Sequence, residues 1–126
     1  MIRTLGALAL CGLVLLGTSS PAMAARPKDQ LKLVVAVKGG ETKTARLHCE
    51  PAGGTHPDAQ AACELLEQVN GDPGQLNVSP DAVCTREAQP HAVAAKGRWD
   101  GKPVRWGKVF GNACLVKAAT GALFDL

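Results

Sequence analysis

The chain has 126 residues and five cysteines, with 14 Lys and Arg against 11 Asp and Glu, a formal net charge of +3. A balance this even, with no basic run and no tyrosine, offers neither the electrostatic footprint nor the stacking platform of a nucleic-acid binder. Aromatic residues make up only 3% of the sequence, so Leu, Val and Ala must build the core, and a core of that kind calls for covalent reinforcement.

Arg3 precedes an apolar run from Leu5 to Leu16, and Ala22-Met23-Ala24 follows. A positive start, a short apolar stretch and an A-x-A site form the pattern of a secretory signal peptide, here cut after Ala24. The run is too short to span a bilayer, so the reading is a leader over residues 1–24 and a single secreted, extracellular domain over 25–126, with no membrane partner. Cys11 leaves with the leader. Removing it from the five cysteines leaves the even set Cys49, Cys63, Cys84 and Cys114, as expected in an oxidising compartment. That set permits three pairings, and the sequence does not choose among them. Joining neighbours, Cys49 to Cys63 and Cys84 to Cys114, would stabilise by about 3 and about 4 kcal/mol on chain-entropy grounds. There is no CxxC, and His48, His56 and His91 lack ligand spacing, so neither a metal nor another cofactor is expected.

Residues 25–30 are polar and expected to fray. Leu31 to Val37 is β-branched and partly alternating, a strand; Lys38-Gly39-Gly40 turns the chain, and Thr42 to Cys49 is the return strand of a hairpin. Pro51 to Pro57 is loop, rich in Gly and Pro. From Asp58 to Asn70 the period becomes helical: Ala62, Leu65, Leu66 and Val69 share one face, with Thr55 or Asp58 as candidate cap and Gly71 as terminator. Thr55-His56-Pro57 is read as a structural turn, because no nucleophile motif accompanies the histidine.

Gly71 to Pro80 is a second loop, turning at Asp72-Pro73-Gly74. Ala92 to Trp99 and Lys102 to Phe110 flank Asp100-Gly101, the signal for a two-residue type I′ hairpin. Val104, Trp106, Lys108 and Phe110 share a face of the second of these strands, and Pro103 places its start on a sheet edge. Asn112 caps a short helix carrying Cys114 and ending by Gly121, and Leu123-Phe124 is read as a last strand. Trp99 and Trp106 are assigned to sheet-face packing or subunit contact, with Trp106 the candidate for a dimer interface. The sum is an α+β domain of two layers, an antiparallel sheet packed against two helices.

Between these elements lies Cys84-Thr85-Arg86-Glu87-Ala88-Gln89-Pro90. A serine protease binds its substrate as an extended strand, and trypsin-like enzymes select Arg or Lys at P1 with a buried carboxylate. A stiff exposed loop with a basic residue suits that recognition, because little ordering entropy remains to be lost on binding. Cys84 then stands at P3, Thr85 at P2, Arg86 at P1, Glu87 at P1′ and Pro90 at P4′, with Pro90 fixing φ on the far side. Taken alone, Arg86 would be no more than a solvated loop arginine.

The wider pattern is more specific. Leu47-His48-Cys49-Glu50-Pro51, Gly54-Thr55-His56-Pro57 leading to Ala62-Cys63, the loop opening at Cys84, Gly97-Arg98-Trp99-Asp100-Gly101-Lys102-Pro103-Val104 and Val109-Phe110-Gly111-Asn112-Ala113-Cys114 follow one another in order, with Leu123-Phe124 at the close. In this the mature chain resembles the Streptomyces subtilisin inhibitor family over most of its length. The resemblance implies a five-stranded antiparallel sheet with two helices, disulfides Cys49–Cys63 and Cys84–Cys114, and a homodimer formed through sheet faces. It implies reversible inhibition of serine endopeptidases, not catalysis, with Arg86–Glu87 as the reactive bond and Asn112 as loop support. An amide suits that role because it donates and accepts at once. Members of the family often carry Asp-Pro-Val where this chain has Gln89-Pro90-His91, so an acidic loop partner is missing, and the connection between the first two strands is shorter. Glu87 sets a carboxylate beside the enzyme cleft. Arg86 points to trypsin-like targets, with subtilisin-like ones admitted. A non-inhibitory extracellular binding module on the same stapled scaffold is the alternative. A secreted hydrolase finds no support, since neither GxSxG nor HExxH is present.

Overall fold

The computed structural model describes residues 28–126, preceded only by Gly17; the leader peptide read from residues 1–24, with its cleavage site, lies outside the described residues. The chain runs through β1 (Gln30–Val37), β2 (Thr42–His48), β3 (Gly53–Gly54), α1 (Ala59–Gln68), a 3-10 turn at Pro73–Gln75, β4 (His91–Trp99), β5 (Lys102–Phe110) and α2 (Ala113–Thr120). One antiparallel sheet of order β3-β2-β1-β4-β5 results. The strand β5 that begins with Lys102-Pro103 is an edge, as its proline requires.

Period-two alternation decides which face is covered. In β1, Leu31, Leu33 and Val35 are buried while Gln30 and Lys32 are exposed. Ala45 and Leu47 of β2, Val93 and Ala95 of β4 and Phe110 of β5 fall on the same side. Against them pack Ala62, Cys63 and Leu66 of α1, Val116 of α2, and Leu123 and Phe124. Burying a Leu or Val side chain contributes about 1.5–3 kcal/mol, so this single cluster carries most of the favourable free energy.

The local signals hold where they rest on chemistry within a few residues. Asp58 caps α1, its carboxylate accepting from the Ala61 N–H at 3.2 Å. Gly71 ends it with φ 79° while its N–H reaches the Leu66 carbonyl at 2.9 Å. The same glycine leaves room for Trp99, whose Cγ would lie 2.2 Å from an added Cβ. Asp100 and Gly101 have φ 49° and 74°, the paired positive angles of a type I′ turn. The short β1–β2 connection closes with Val37 N–H on the Glu41 carbonyl at 3.1 Å. Both disulfides, Cys49–Cys63 and Cys84–Cys114, are formed, with sequence separations of 14 and 30.

Three expectations are corrected. Leu123-Phe124 is no strand: Leu123 N–H bonds the Thr120 carbonyl and Asp125 N–H that of Ala122, which curls the segment so that both side chains plug the core. The fifth strand is instead Gly53–Gly54, inside the expected loop, paired with Leu47 and His48. Trp106 lies on the covered face, stacked on Phe124 with ring centroids 5.9 Å apart, which is the sheet-face packing expected of it. Of residues 25–30, expected to fray, 25–27 lie outside the described residues and 28–30 are held: Asp29 accepts from the Asp100 N–H at 2.6 Å, the Lys28 carbonyl accepts from Gly101, and Gln30 already belongs to β1.

His56 is the structural residue expected. Asp58 N–H donates to its Nδ1 at 2.9 Å, so the proton sits on Nε2, which donates to the Leu123 carbonyl at 2.9 Å. Replacing His56 by Ala leaves that buried carbonyl and the Asp58 N–H unpartnered, a loss of about 1–3 kcal/mol. Urea unfolding should show it as a lower midpoint at unchanged slope.

Candidate functional site

Residues 82–90 carry no helix or strand, and Thr85 to Gln89 are exposed. Their anchors come from the junction between β5 and α2, which runs antiparallel to them. Cys84 is bonded to Cys114. The Asn112 side-chain amide donates to the Thr85 carbonyl at 2.9 Å and to the Glu87 carbonyl at 3.1 Å. Gln89 N–H donates to the Gly111 carbonyl at 2.9 Å. The loop is therefore held at alternate positions along its length, much as a strand is held, while Arg86 and Ala88 between the anchors remain exposed.

Asn112 works in two directions. Its Oδ1 accepts from the Leu115 N–H at 3.0 Å and so caps α2, which leaves both amide protons for the loop. The residue is 5% exposed, so water competes little with these bonds. Its position is set by register: β5 ends at Phe110 opposite His91, and the next turn of chain must begin α2. The cap of α2 and the two hydrogen bonds to the loop meet on one side chain.

Both legs of the loop are tied down. Before it, Val78 N–H and Ser79 N–H donate to the Ala119 and Ala118 carbonyls at 3.2 and 2.8 Å, fixing the approach against α2. After it, Pro90 is half-buried, and its carbonyl accepts from the Lys38 N–H at 2.9 Å. His91, buried at the start of β4, donates from Nδ1 to the Gln89 carbonyl at 2.7 Å. His91 and Gly111 were missed from the sequence. A histidine on the buried face at the first position of a strand was the only available signal for the former. Gly111 acts through its carbonyl, which no side-chain pattern reveals. No Asp or Glu lies within the loop beyond Glu87, and at Gln89 the backbone, braced by His91 and Gly111, provides the hold.

Chemically, this arrangement presents an extended peptide whose Arg86–Glu87 bond projects between two restrained carbonyls. Breaking that bond would leave Thr85 on one fragment and Glu87 on the other, both still bonded to Asn112, and Cys84 still joined to Cys114. Among the described residues no cluster of three or more His, Cys, Asp or Glu could hold a metal ion, and no helix is long and apolar enough to cross a membrane.

A family model described as subtilisin inhibitor-like matches residues 29–112. A subtilisin inhibitor of Streptomyces violaceus is 40% identical over 122 residues, spanning 86% of this chain and 84% of its own. A subtilase-type protease inhibitor of Streptomyces coelicolor is 36% identical over 134 residues, with 96% and 92% covered. Among solved structures, Streptomyces caespitosus sermetstatin, in complex with Bacillus licheniformis subtilisin, superposes with a TM-score of 0.61 at 27% identity, covering 77% of this chain and 97% of that one. The matched residues take in the whole sheet and α1, and this chain belongs to the subtilisin inhibitor-like family.

Proposed function

We propose that this protein is a secreted, reversible, substrate-like inhibitor of serine endopeptidases, with Arg86–Glu87 as its reactive bond. Arg86 at P1 favours trypsin-like enzymes, and subtilisin-like enzymes with broader S1 pockets are admitted as well. Relatives named as protease inhibitors, and a structural relative solved in complex with subtilisin, support the class of target. The single observation that carries the reading is the Asn112 amide bridging the carbonyls of Thr85 and Glu87. After acylation, the new amine of Glu87 stays beside the acyl carbonyl instead of diffusing away. Such confinement corresponds to a very high effective concentration, so religation outpaces attack by water. Two disulfides in a domain of this size agree with export.

The test is a titration of trypsin and of subtilisin with the purified protein, followed by mass analysis. The expected result is tight stoichiometric inhibition of trypsin, with a slowly formed cleaved species cut after Arg86. Steady turnover at that bond without inhibition would establish the alternative, a binding module that merely contains a cleavable loop.

Two copies are proposed to pair through the open face of the sheet. One half of that face is built of small side chains in register: Thr44, Val34, Ala94 and Gly107 in one row, then Thr42, Ala36, Ala92 and Val109 in the next. Val109 is 66% exposed, and small residues let two sheets approach to their usual spacing of about 10 Å. Sedimentation equilibrium of wild type and of Val109→Lys checks this, the variant being expected to dissociate.

A further inference from the structure

The other half of the open face is of opposite character. Arg46 pairs with Lys32, Lys32 with Lys96, and Lys96 with Arg105, so four adjacent strands each place a cation at one level. On the next level Arg98 stands opposite Gln30. Neither Asp nor Glu occupies any position of this face in β1, β2, β4 or β5. Like charges directly opposite one another destabilise a sheet, and nothing on the face itself offsets them. Their natural complement is an anion from outside the chain.

We infer that this row binds an unbranched phosphate polymer. Neighbouring strands lie about 4.8 Å apart, so the row extends over roughly 14 Å, too long for a single small anion and suited to a chain charged at every unit. Lys28, Lys32, Arg46, Lys96 and Arg98 line one cleft of ≈ 630 Å³. A concave site fits an extended chain better than the flat surface of a bilayer. Arginine forks at Arg46, Arg98 and Arg105 match phosphate oxygens two at a time. Nucleic acid is the weaker candidate, because single-strand binders stack bases on aromatic side chains. Trp106 and Phe110 share the covered face, and no Phe, Tyr or Trp occupies the open face of these strands.

The row crosses β4 at Lys96, about 17 Å along the strand from His91, where the reactive loop enters the sheet. A dimer seated on the small rows leaves the cations at its rim. Polymer binding and protease binding therefore use separate parts of the molecule, and the polymer would hold the protein at an anionic matrix while the loop stays free.

Long-chain inorganic polyphosphate is the probe, with binding to the full mature protein followed by fluorescence anisotropy across a salt series. Wild type is expected to bind with a strong salt dependence. Lys32→Gln combined with Lys96→Gln is expected to weaken binding at least tenfold and to reduce the log–log salt slope by about 1.4–1.8, at roughly 0.7–0.9 per charge removed. Relieving the opposed charges should leave the melting temperature equal or higher, and trypsin titration unchanged. Arg105→Gln on the edge strand is a second variant, expected to lose a smaller part of the same affinity. Affinity within twofold of wild type in both variants overturns the proposal. So does equal or tighter binding to polyglutamate, single-stranded DNA or phosphatidylglycerol vesicles, or polyphosphate binding that is indifferent to salt.

Discussion

Replacing Arg86 by Asp is expected to abolish trypsin inhibition while leaving the thermal transition nearly unmoved. Breaking a buried charge pair by removing one partner costs about 3–5 kcal/mol, and here the pair would be the P1 guanidinium and the S1 carboxylate. Aspartate replaces attraction with repulsion between like charges, worth several kcal/mol more. At 1.4 kcal/mol per tenfold, the inhibition constant should rise by at least about 10⁴. Arg86 is exposed on a segment without secondary structure, so the fold has little stake in it. Arg86→Lys should retain most of the inhibition. Undiminished inhibition of trypsin by Arg86→Asp would falsify the assignment of P1.

The second large effect belongs to Asn112, and here two substitutions separate its two duties. Asn112→Ala removes the cap of α2, at about 1 kcal/mol, together with both donors to the loop. Asn112→Asp keeps an oxygen to accept from the Leu115 N–H, and a carboxylate is also favourable at a helix N-terminus. It has no proton to give to the Thr85 and Glu87 carbonyls. Its second oxygen then faces two carbonyl oxygens, so in the Asp variant the loop is expected to swing away from residue 112 and to be hydrolysed steadily at Arg86–Glu87. Releasing two residues restores backbone freedom of about 1–2 kcal/mol each, so binding should weaken roughly 30-fold to 1,000-fold. Cleavage kinetics by mass spectrometry distinguish this from a purely structural role, which would lower stability in the Ala variant and spare the loop in the Asp variant. If both variants stay intact under trypsin, loop restraint lies with Cys84–Cys114 and the Gly111 carbonyl.

Much of the domain could be read before any coordinates. The α1 cap at Asp58, the terminator Gly71, the type I′ turn at Asp100-Gly101 and the cap of α2 all depend on neighbours within five residues. Local chemistry alone decides them. The paired β1–β2 and β4–β5 hairpins follow from the same turns and from alternation. Where the reading failed, side-chain pattern carried no information. Gly53–Gly54 joins the sheet as a strand through backbone pairing to Leu47 and His48, and the adjoining Thr55 braces it, its hydroxyl accepting from the Arg46 N–H at 2.8 Å. Leu123-Phe124 is apolar enough for a strand, but turn hydrogen bonds and a vacancy in the core claim it. Trp106 stands opposite buried Ala95, so the strand register puts it on the covered face, where Phe124 stacks on it.

Sequence by itself determined four of the strands and both helices, the even set of cysteines, the exposed basic loop and a strand edge marked by Pro103. Each is a property of a residue and its immediate neighbours. Tertiary structure decided the rest, because it depends on residues far apart in the chain meeting at ångström distances. Asn112 reaches carbonyls 27 and 25 positions away, and a shift of one residue in the β4–β5 register would turn it to the other side. The cation row is the same kind of fact: Lys32, Arg46, Lys96 and Arg105 look like scattered surface charges until pairing across four strands sets them in line.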